Sequence, residues 1–561
     1  MSDFYSKMKS TQDNTSITEN GAVGYKTTRH ALADFNFKVA SYRSDMTKGV
    51  KDFKDVLNEG EEFVLKYLFY LRDAREGIGE RDLFRTTLVE FVKANFENKD
   101  EIIDLIIKET PEYGRFDDLL SLMGTAYEGK VVDFFKAQLK QDFENYKANK
   151  SISLLAKWLP SENASNSETV HLARKLIKAF GTTPRDYRKT LSALRAYLDV
   201  VEVKTCSKDW EGIDYNTVPS KANIKYADAF LRNDETRRRQ YLSDLNRGVD
   251  KDGNVVKINA TVNTPHDVLH MYAATDRWGY RMSLKSYDET IEQLWKNLKQ
   301  VPGLKDTIVV RDDSGSMTST IGNTNISAYE VATALGIYCA EHNSEAYRNK
   351  IITFSETPRY LDFSDEKHFG SLHSKYEFLL KHGEVANTNV EAVFDLILVT
   401  AVENKLDASE LPAQILIISD MEFDSCCYAG NNRGGYWYTG HRDNGVNVSL
   451  FSNIANKYAQ YGYKLPKLVF WNVNSRTGTI PCIQNEAGVI LVSGFSQNVL
   501  SLVNSGKTDP YDALIDELGK ERYANIPLIK FSKPGQPESV KTTHKNSNKQ
   551  TKKSDTPEFL M

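Results

Sequence analysis

Two carboxylates and two hydroxyls crowd around one glycine at Asp312-Asp313-Ser314-Gly315-Ser316. The spacing Asp-x-Ser-x-Ser brings the Asp312 carboxylate and the Ser314 and Ser316 hydroxyls onto a single small cation. All three offer hard oxygen, and so small a protein ligand set suits Mg2+, which keeps several of its waters. The β-branched run Ile308 to Val310 just before them reads as a buried strand. The oxygens therefore fall at the C-terminal edge of a strand, where open α/β sheets bind their ligands. The bland alternative is that these are turn residues at a strand end.

The elements that must hold this edge begin near residue 304, where strands and helices alternate. The expected strands are 307–312, 350–355, 414–420, 467–473 and 489–492. Helices fit 328–342, 390–402, 448–460, 497–503 and 511–523. Such alternation implies a mostly parallel sheet covered on both faces. The edge and its setting resemble the metal-ion-dependent adhesion site of a von Willebrand factor A domain. That family adds a Thr and an Asp from later loops to its cation, which here implies Thr388, after Asn387, and Asp420, at the end of Gln414-Ile-Leu-Ile-Ile-Ser-Asp420. Where the family has a glycine after that Asp, this chain has Met421, which puts the local loop geometry in question. The resemblance implies Mg2+ or another divalent cation, and a protein partner that donates a carboxylate to it. The Gly-, Asn- and Tyr-rich segment 422–444 is too long for a routine connection. It leaves from the cation edge, so Tyr436, Trp437, Tyr438 and His441 are expected to meet a partner or the helical half.

Upstream, helical periodicity runs almost unbroken. The segments Glu62 to Leu71 and Arg81 to Val92 carry apolar residues at helical spacing, and the turn Arg75 to Glu80 joins them as a hairpin. Gly77 and Gly79 are not a phosphate fingerprint, because Asp82 stands where a third glycine belongs. Later stretches repeat the pattern, and Thr183-Pro184 supplies an N-cap and an N1 proline. Stacked helical pairs suggest a solenoid or ring of the HEAT type. The expected fold is thus multidomain α and α/β: a loosely ordered 1–25, a helical-repeat half at 26–303, a Rossmann-like A domain at 304–530, and a Lys-rich tail at 531–561 expected to be disordered.

A helical half joined to an A domain resembles the Ro autoantigen family, whose helical ring is the TROVE domain. The likeness is closer still to a related, uncharacterised family of helical-plus-A-domain proteins. It rests on Tyr70-Leu-Arg-Asp-Ala-Arg-Glu-Gly-Ile-Gly-Glu-Arg81, Pro111-Glu-Tyr-Gly-Arg-Phe-Asp-Asp118, Lys157-Trp-Leu-Pro-Ser161 and the stretch Trp210 to Ser220. The resemblance implies a ribonucleoprotein ring that holds single-stranded RNA ends in its hole and structured non-coding or misfolded RNA on its rim. The residues add local support. Between Ser151 and Arg247 stand 17 Lys and Arg against 12 Asp and Glu, a basic excess within a chain of net charge −4. Lys157, Arg185, Arg188 and Lys189 are the expected RNA contacts, Arg237-Arg238-Arg239 the densest cluster, and Trp158, Tyr187 and Tyr197 possible stacking partners. Solvated helix faces and core packing are the bland readings.

Other chemistry is thin. His266 and His270 stand at i, i+4 without a third ligand, and read as ordinary helix residues. Cys426, Cys427 and His441 lack zinc spacing. No nucleophile–base set or nucleotide loop points to an enzyme. Five scattered cysteines make no disulfide framework, no apolar run approaches membrane length, and the first twenty residues lack a signal's apolar core. A cytoplasmic, monomeric RNA-binding protein with a Mg2+-binding A domain is expected. Its rival is a cation-dependent protein-interaction scaffold that binds no RNA.

Overall fold

The structure is a computed structural model and describes residues 2–275, 283–354, 357–383, 388–424 and 450–532. The tail 533–561, the cysteine pair with His441, and Tyr436, Trp437 and Tyr438 lie outside the described residues.

The chain opens with a helix, Ser2–Asp13, and an antiparallel hairpin of β1 (Thr15–Ile17) and β2 (Val23–Tyr25). The loosely ordered start expected at 1–25 is thereby corrected. Asn20-Gly21 is a hairpin-turn dipeptide, and the hairpin is pinned to residues some 400 positions later. Tyr25 N donates to Ile480 O at 2.9 Å, and Ile480 N returns a bond of 2.8 Å to Tyr25 O.

Five of the six sheet strands follow the apolar runs to within a residue. They are β3 (Thr307–Asp312), β4 (Lys350–Phe354), β5 (Arg359–Asp362), β6 (Gln414–Ser419), β7 (Lys467–Asn472) and β8 (Val489–Ser493). Their order is β8-β7-β6-β3-β4-β5, parallel except for β5, which runs antiparallel to β4 at the edge. Side chains alternate between two buried faces. Val310, Ile352, Ile415, Ile417, Leu468 and Phe470 meet the helices Glu391–Glu403 and Leu450–Gln460 on one side. Val309, Ile351, Leu416, Ile418, Val469 and Trp471 lie on the other.

That second face is covered by Ala328–Glu341 together with the helical half. Its core runs without a break from Leu32 through Leu298 to Ile529. The helix Ala31–Phe37 packs on β8, while Pro265–Tyr272 packs on Ala328–Glu341, which in turn lies on β3 and β6. Ala328–Glu341 is buried nearly all round and starts with a capping box between Ser327 and Glu330. From Met46–Glu59 onward the helices pack on near neighbours in sequence, and both ends of the series rest on the sheet domain. The boundary near 304 therefore separates element types without separating two cores. The C-terminal stretch crosses back as well: Arg522 Nε donates to Asp73 Oδ2 at 2.8 Å, and Phe531 meets Phe96 edge-on.

Asp118, fully buried, fixes the helical half internally. It accepts from Arg72 Nε and Arg85 Nε, each at 2.7 Å, and from Arg115 N at 2.9 Å. The phrases Tyr70–Arg81 and Pro111–Asp118 thus meet each other in the interior. In the turn between the first helical pair, a Cβ on Gly77 would come within 2.0 Å of Tyr70 O, so only glycine fits.

Candidate functional site

The C-terminal ends of β3 and β6 are adjacent, and they carry Asp312 and Asp420 to the same edge. Both are fully buried. Asp312 Oδ1 accepts from Ser314 N at 2.8 Å, and Oδ2 from Ser419 Oγ at 2.5 Å. Ser314 Oγ and Ser316 Oγ stand 3.1 Å apart. Beneath them Arg311 is wholly buried, ion-paired with Asp313 and donating to Thr333 Oγ1 at 2.8 Å. That pairing neutralises Asp313 and leaves Asp312 to face the edge. Thr388 joins from the third loop. Its backbone is pinned to Asp424, with Thr388 N donating to Asp424 Oδ2 at 3.0 Å and Asp424 N returning a 3.0 Å bond to Thr388 O.

Met421 adopts φ +64°, the left-handed conformation that a glycine takes without cost and other residues take at about 1–2 kcal/mol. The turn is held all the same: Met421 N donates to Ser419 Oγ at 2.9 Å, and its side chain is buried in the core beside Phe423. The glycine conformation is kept without the glycine.

A polar well of about 300 Å3 opens over this edge, lined by Glu19, Asn20, Gly315, Ser316, Thr388, Asp424 and Arg476. Asp420 Oδ2 is buried and has no hydrogen-bond partner among the described residues. Arg476 Nη2 stands 3.6 Å from it, beyond hydrogen-bond length. An orphaned carboxylate oxygen beside a second carboxylate and three hydroxyls is the donor set that Mg2+ takes. Among the described residues no group of three or more His, Cys, Asp or Glu could hold a metal. A cation at this edge would have to draw on the hydroxyls of Ser314, Ser316 and Thr388 as well as on two carboxylates.

Burial pushes Asp312 up to about 6 and, together with repulsion from Asp312, pushes Asp420 up to about 7. Folded values above the ordinary carboxylate range mean that the protonated forms favour the folded chain. That contribution is lost as pH rises through the folded values. In Mg2+-free buffer, Asp312→Ala should therefore lose less thermal stability than the parent between about pH 5 and about pH 8. If a cation can take the protons' place, Mg2+ should restore the parent at the upper end. Thermal melts of both chains at the two pH values check this.

Several residues of the site carried no sequence signal of their own. Glu422, fully buried, accepts from Glu19 N at 2.8 Å and from Arg476 N and Thr477 N, both at 2.9 Å. Asn20 Nδ2 donates to Thr388 Oγ1 at 3.0 Å and to Glu422 O at 2.6 Å. Asn20-Gly21 was readable as a turn, but nothing in it pointed to a loop 368 residues away.

The residues expected to contact RNA lie elsewhere, on two helices that pack together, Leu155–Trp158 and Pro184–Tyr197. Arg185, Arg188 and Lys189 are exposed. Arg188 pairs with Glu162, and Lys157 Nζ lies 3.8 Å from Glu202. Three supporting expectations need correction. Tyr187 is buried and donates to Pro160 O at 2.8 Å, so it cannot stack on a base. Arg238 is fully buried against the rings of Tyr215, Phe230 and Tyr241. Arg237 is spent on the carbonyls of Trp210, Glu211 and Ile213. Trp158 is half-buried beneath the Arg115 guanidinium at 4.0 Å, and half-buried Tyr197 donates to Lys150 O. The histidine pair is part of the packing: His266 lies against Phe495 with burial lowering it to about 4, and His270 pairs with Glu330 at 2.9 Å. No helix among the described residues is long and apolar enough to cross a membrane.

Comparison with known proteins matches residues 306–558 to a domain of unknown function (DUF7788) and residues 126–306 to a second such domain (DUF2828). The two meet at residue 306, where the helices give way to β3. An uncharacterized protein of Acanthamoeba polyphaga mimivirus is 28% identical over 576 residues, spanning 95% of this chain and 92% of that one. Among solved structures, the Ro (RSR) protein of Deinococcus radiodurans aligns over 83% of this chain and 92% of its own at 14% identity, with a TM-score of 0.38.

Proposed function

We propose that this chain is a cation-dependent binding protein without catalytic chemistry of its own. Asp312, Ser314, Ser316, Thr388 and Asp420 would hold Mg2+ or another divalent cation at the sheet edge, and the cation would supply an open position for an anionic ligand atom. The observation that carries this reading is Asp420 Oδ2, buried without a hydrogen bond among the described residues, at the strand end beside that of Asp312. Leaving a charged oxygen unpaired inside a protein is costly, and a bound cation offsets that cost. The chain's own residues have plain tasks. Ser419 orients Asp312, Glu422 and Met421 set the turn that presents Asp420, and Arg311 keeps Asp313 out of the site.

Calorimetric Mg2+ titration of the parent and of Asp312→Ala tests the assignment. The parent should bind, and the variant should stay folded in metal-free buffer while losing at least about a hundredfold in affinity. Losing one charged ligand costs about 3 kcal/mol by the scale of a broken buried ion pair. Equal affinities would remove the site.

A second reading, RNA binding by the helical half closed into a ring by the sheet domain, has one observation in its favour. Arg185, Arg188 and Lys189 are exposed on one helix, and the helix bearing Lys157 packs against it. If about four phosphates are neutralised, a single strand should give a log–log salt slope of about −3. Replacing Arg185, Arg188 and Lys189 by alanine together should weaken binding and flatten that slope, while Asp312→Ala leaves both unchanged. Fluorescence anisotropy of a labelled strand against salt is the measurement. No binding by the parent at low salt would leave the cation-dependent scaffold standing alone.

A further inference from the structure

The turn of the N-terminal hairpin lies directly on the proposed cation edge. Thr18 Oγ1 donates to Phe423 O at 2.6 Å, Glu19 N to Glu422 Oε2 at 2.8 Å, and Asn20 Nδ2 to Thr388 Oγ1 at 3.0 Å. This places the Glu19 side chain in the lining of the well, together with Ser316, Thr388 and Arg476. Arg476 Nε donates to Glu19 Oε2 at 2.6 Å, while its Nη2 is 3.6 Å from Asp420 Oδ2. One guanidinium thus spans from Asp420 to a carboxylate supplied by the far end of the chain.

The two halves of this arrangement differ in strength. The hairpin backbone is fixed by Glu422, a fully buried acceptor that also fixes the backbone of Arg476. The side-chain pair is open to solvent, with Glu19 56% and Arg476 36% exposed. An exposed pair of this kind contributes about 0–1 kcal/mol. Another carboxylate can therefore replace Glu19 by a side-chain rotation, without unfolding the hairpin.

We propose that Arg476 forms an anion-binding position beside the cation edge, that its ligand is an acidic side chain of a protein partner, and that Glu19 is the chain's own carboxylate filling that position until it is displaced. The guanidinium fork matches a carboxylate in shape. Glu19, Asp424 and Asp420 around it repel a doubly charged phosphate more than a single negative charge. The proposal deepens the cation-dependent reading and rests on it for the partner's second point of attachment, but the Arg476 position stands on its own contacts.

The test uses the full chain and a blocked glutamate (acetylated and amidated) as probe, titrated by calorimetry with Mg2+ present. If Glu19 fills the position about four-fifths of the time, Glu19→Gln should bind the probe about fivefold tighter than the parent. Adding Arg476→Gln to that variant should abolish the gain. Amide exchange over residues 15–25 should match the parent in Glu19→Gln, which separates displacement of a side chain from loss of the hairpin. Equal affinity in parent and Glu19→Gln overturns the proposal, as does no binding by either, or binding that survives Arg476→Gln. Methyl phosphate binding tighter than blocked glutamate overturns the carboxylate assignment. Arg476-dependent binding that is indifferent to Mg2+ and to Asp312→Ala supports the Arg476 position on its own contacts, and the Mg2+ titration above then decides the cation reading separately.

Discussion

An Asp118→Ala chain should lose about 3–5 kcal/mol of stability in its helical half, the cost of leaving a buried charge without its partner. Asp118 is fully buried and serves three donors at once: Arg72, Arg85 and the backbone of Arg115. Arg72 is nearly as deep, so its guanidinium would be stranded. Asp117 offers a contrast, being partly exposed and paired with Arg85 and Arg115 near the surface. Asp117→Ala should cost under about 1 kcal/mol, as partly exposed pairs do. Soluble yield and amide exchange over residues 64–122 measure both. An Asp118→Ala chain as protected as the parent would mean that this network does not hold the helices together.

Glu422→Ala should loosen the cation edge in two places at once. Its carboxylate accepts from the backbone of Glu19, Arg476 and Thr477 and from the hydroxyls of Ser475 and Thr477. A buried donor left unsatisfied costs about 1–3 kcal/mol. The hairpin of residues 15–25 and the loop of residues 475–479 should then exchange at least about thirtyfold faster, which corresponds to about 2 kcal/mol of lost protection. Mg2+ affinity should fall as well, because Glu422 N donates to Asp420 Oδ1 at 3.2 Å and that turn presents Asp420. Glu422→Gln keeps one acceptor oxygen and should recover part of the protection. Unchanged exchange in both segments would contradict the role.

Sequence alone reached the sheet because both of its faces are buried. A strand such as β6, Gln414-Ile-Leu-Ile-Ile-Ser419, buries both faces and so carries an unbroken apolar run, Ile415 to Ile418, that announces itself. The edge strand β5 buries only Leu361 of its four residues, and four residues with one apolar position make no pattern. The site divided in the same way. Asp312, Ser314 and Ser316 are close in sequence and legible by spacing, and Thr388 and Asp420 followed from the A-domain resemblance. Ser419, Glu422 and Arg476 are single polar residues whose roles exist only once distant loops meet. The N-terminal hairpin was misjudged for the same reason: its composition is polar, and what orders it lies some 400 residues away. The arginine cluster was not legible as divided: three consecutive helical residues sweep about 200° of the helix, which a surface helix can present to solvent, and only the rings of Tyr215, Phe230 and Tyr241 show that Arg238 turns inward.

The central claim is that one divalent cation sits between the ends of β3 and β6. Crystals of the full chain grown with Mn2+ in place of Mg2+, and measured at the manganese absorption edge, test it most directly. The account predicts an anomalous peak in contact with the Ser314 and Ser316 hydroxyls, between Asp312 and Asp420 and within reach of Thr388, and absent from Asp312→Ala crystals. A map with no peak at that edge, or with its peak elsewhere on the molecule, would contradict it.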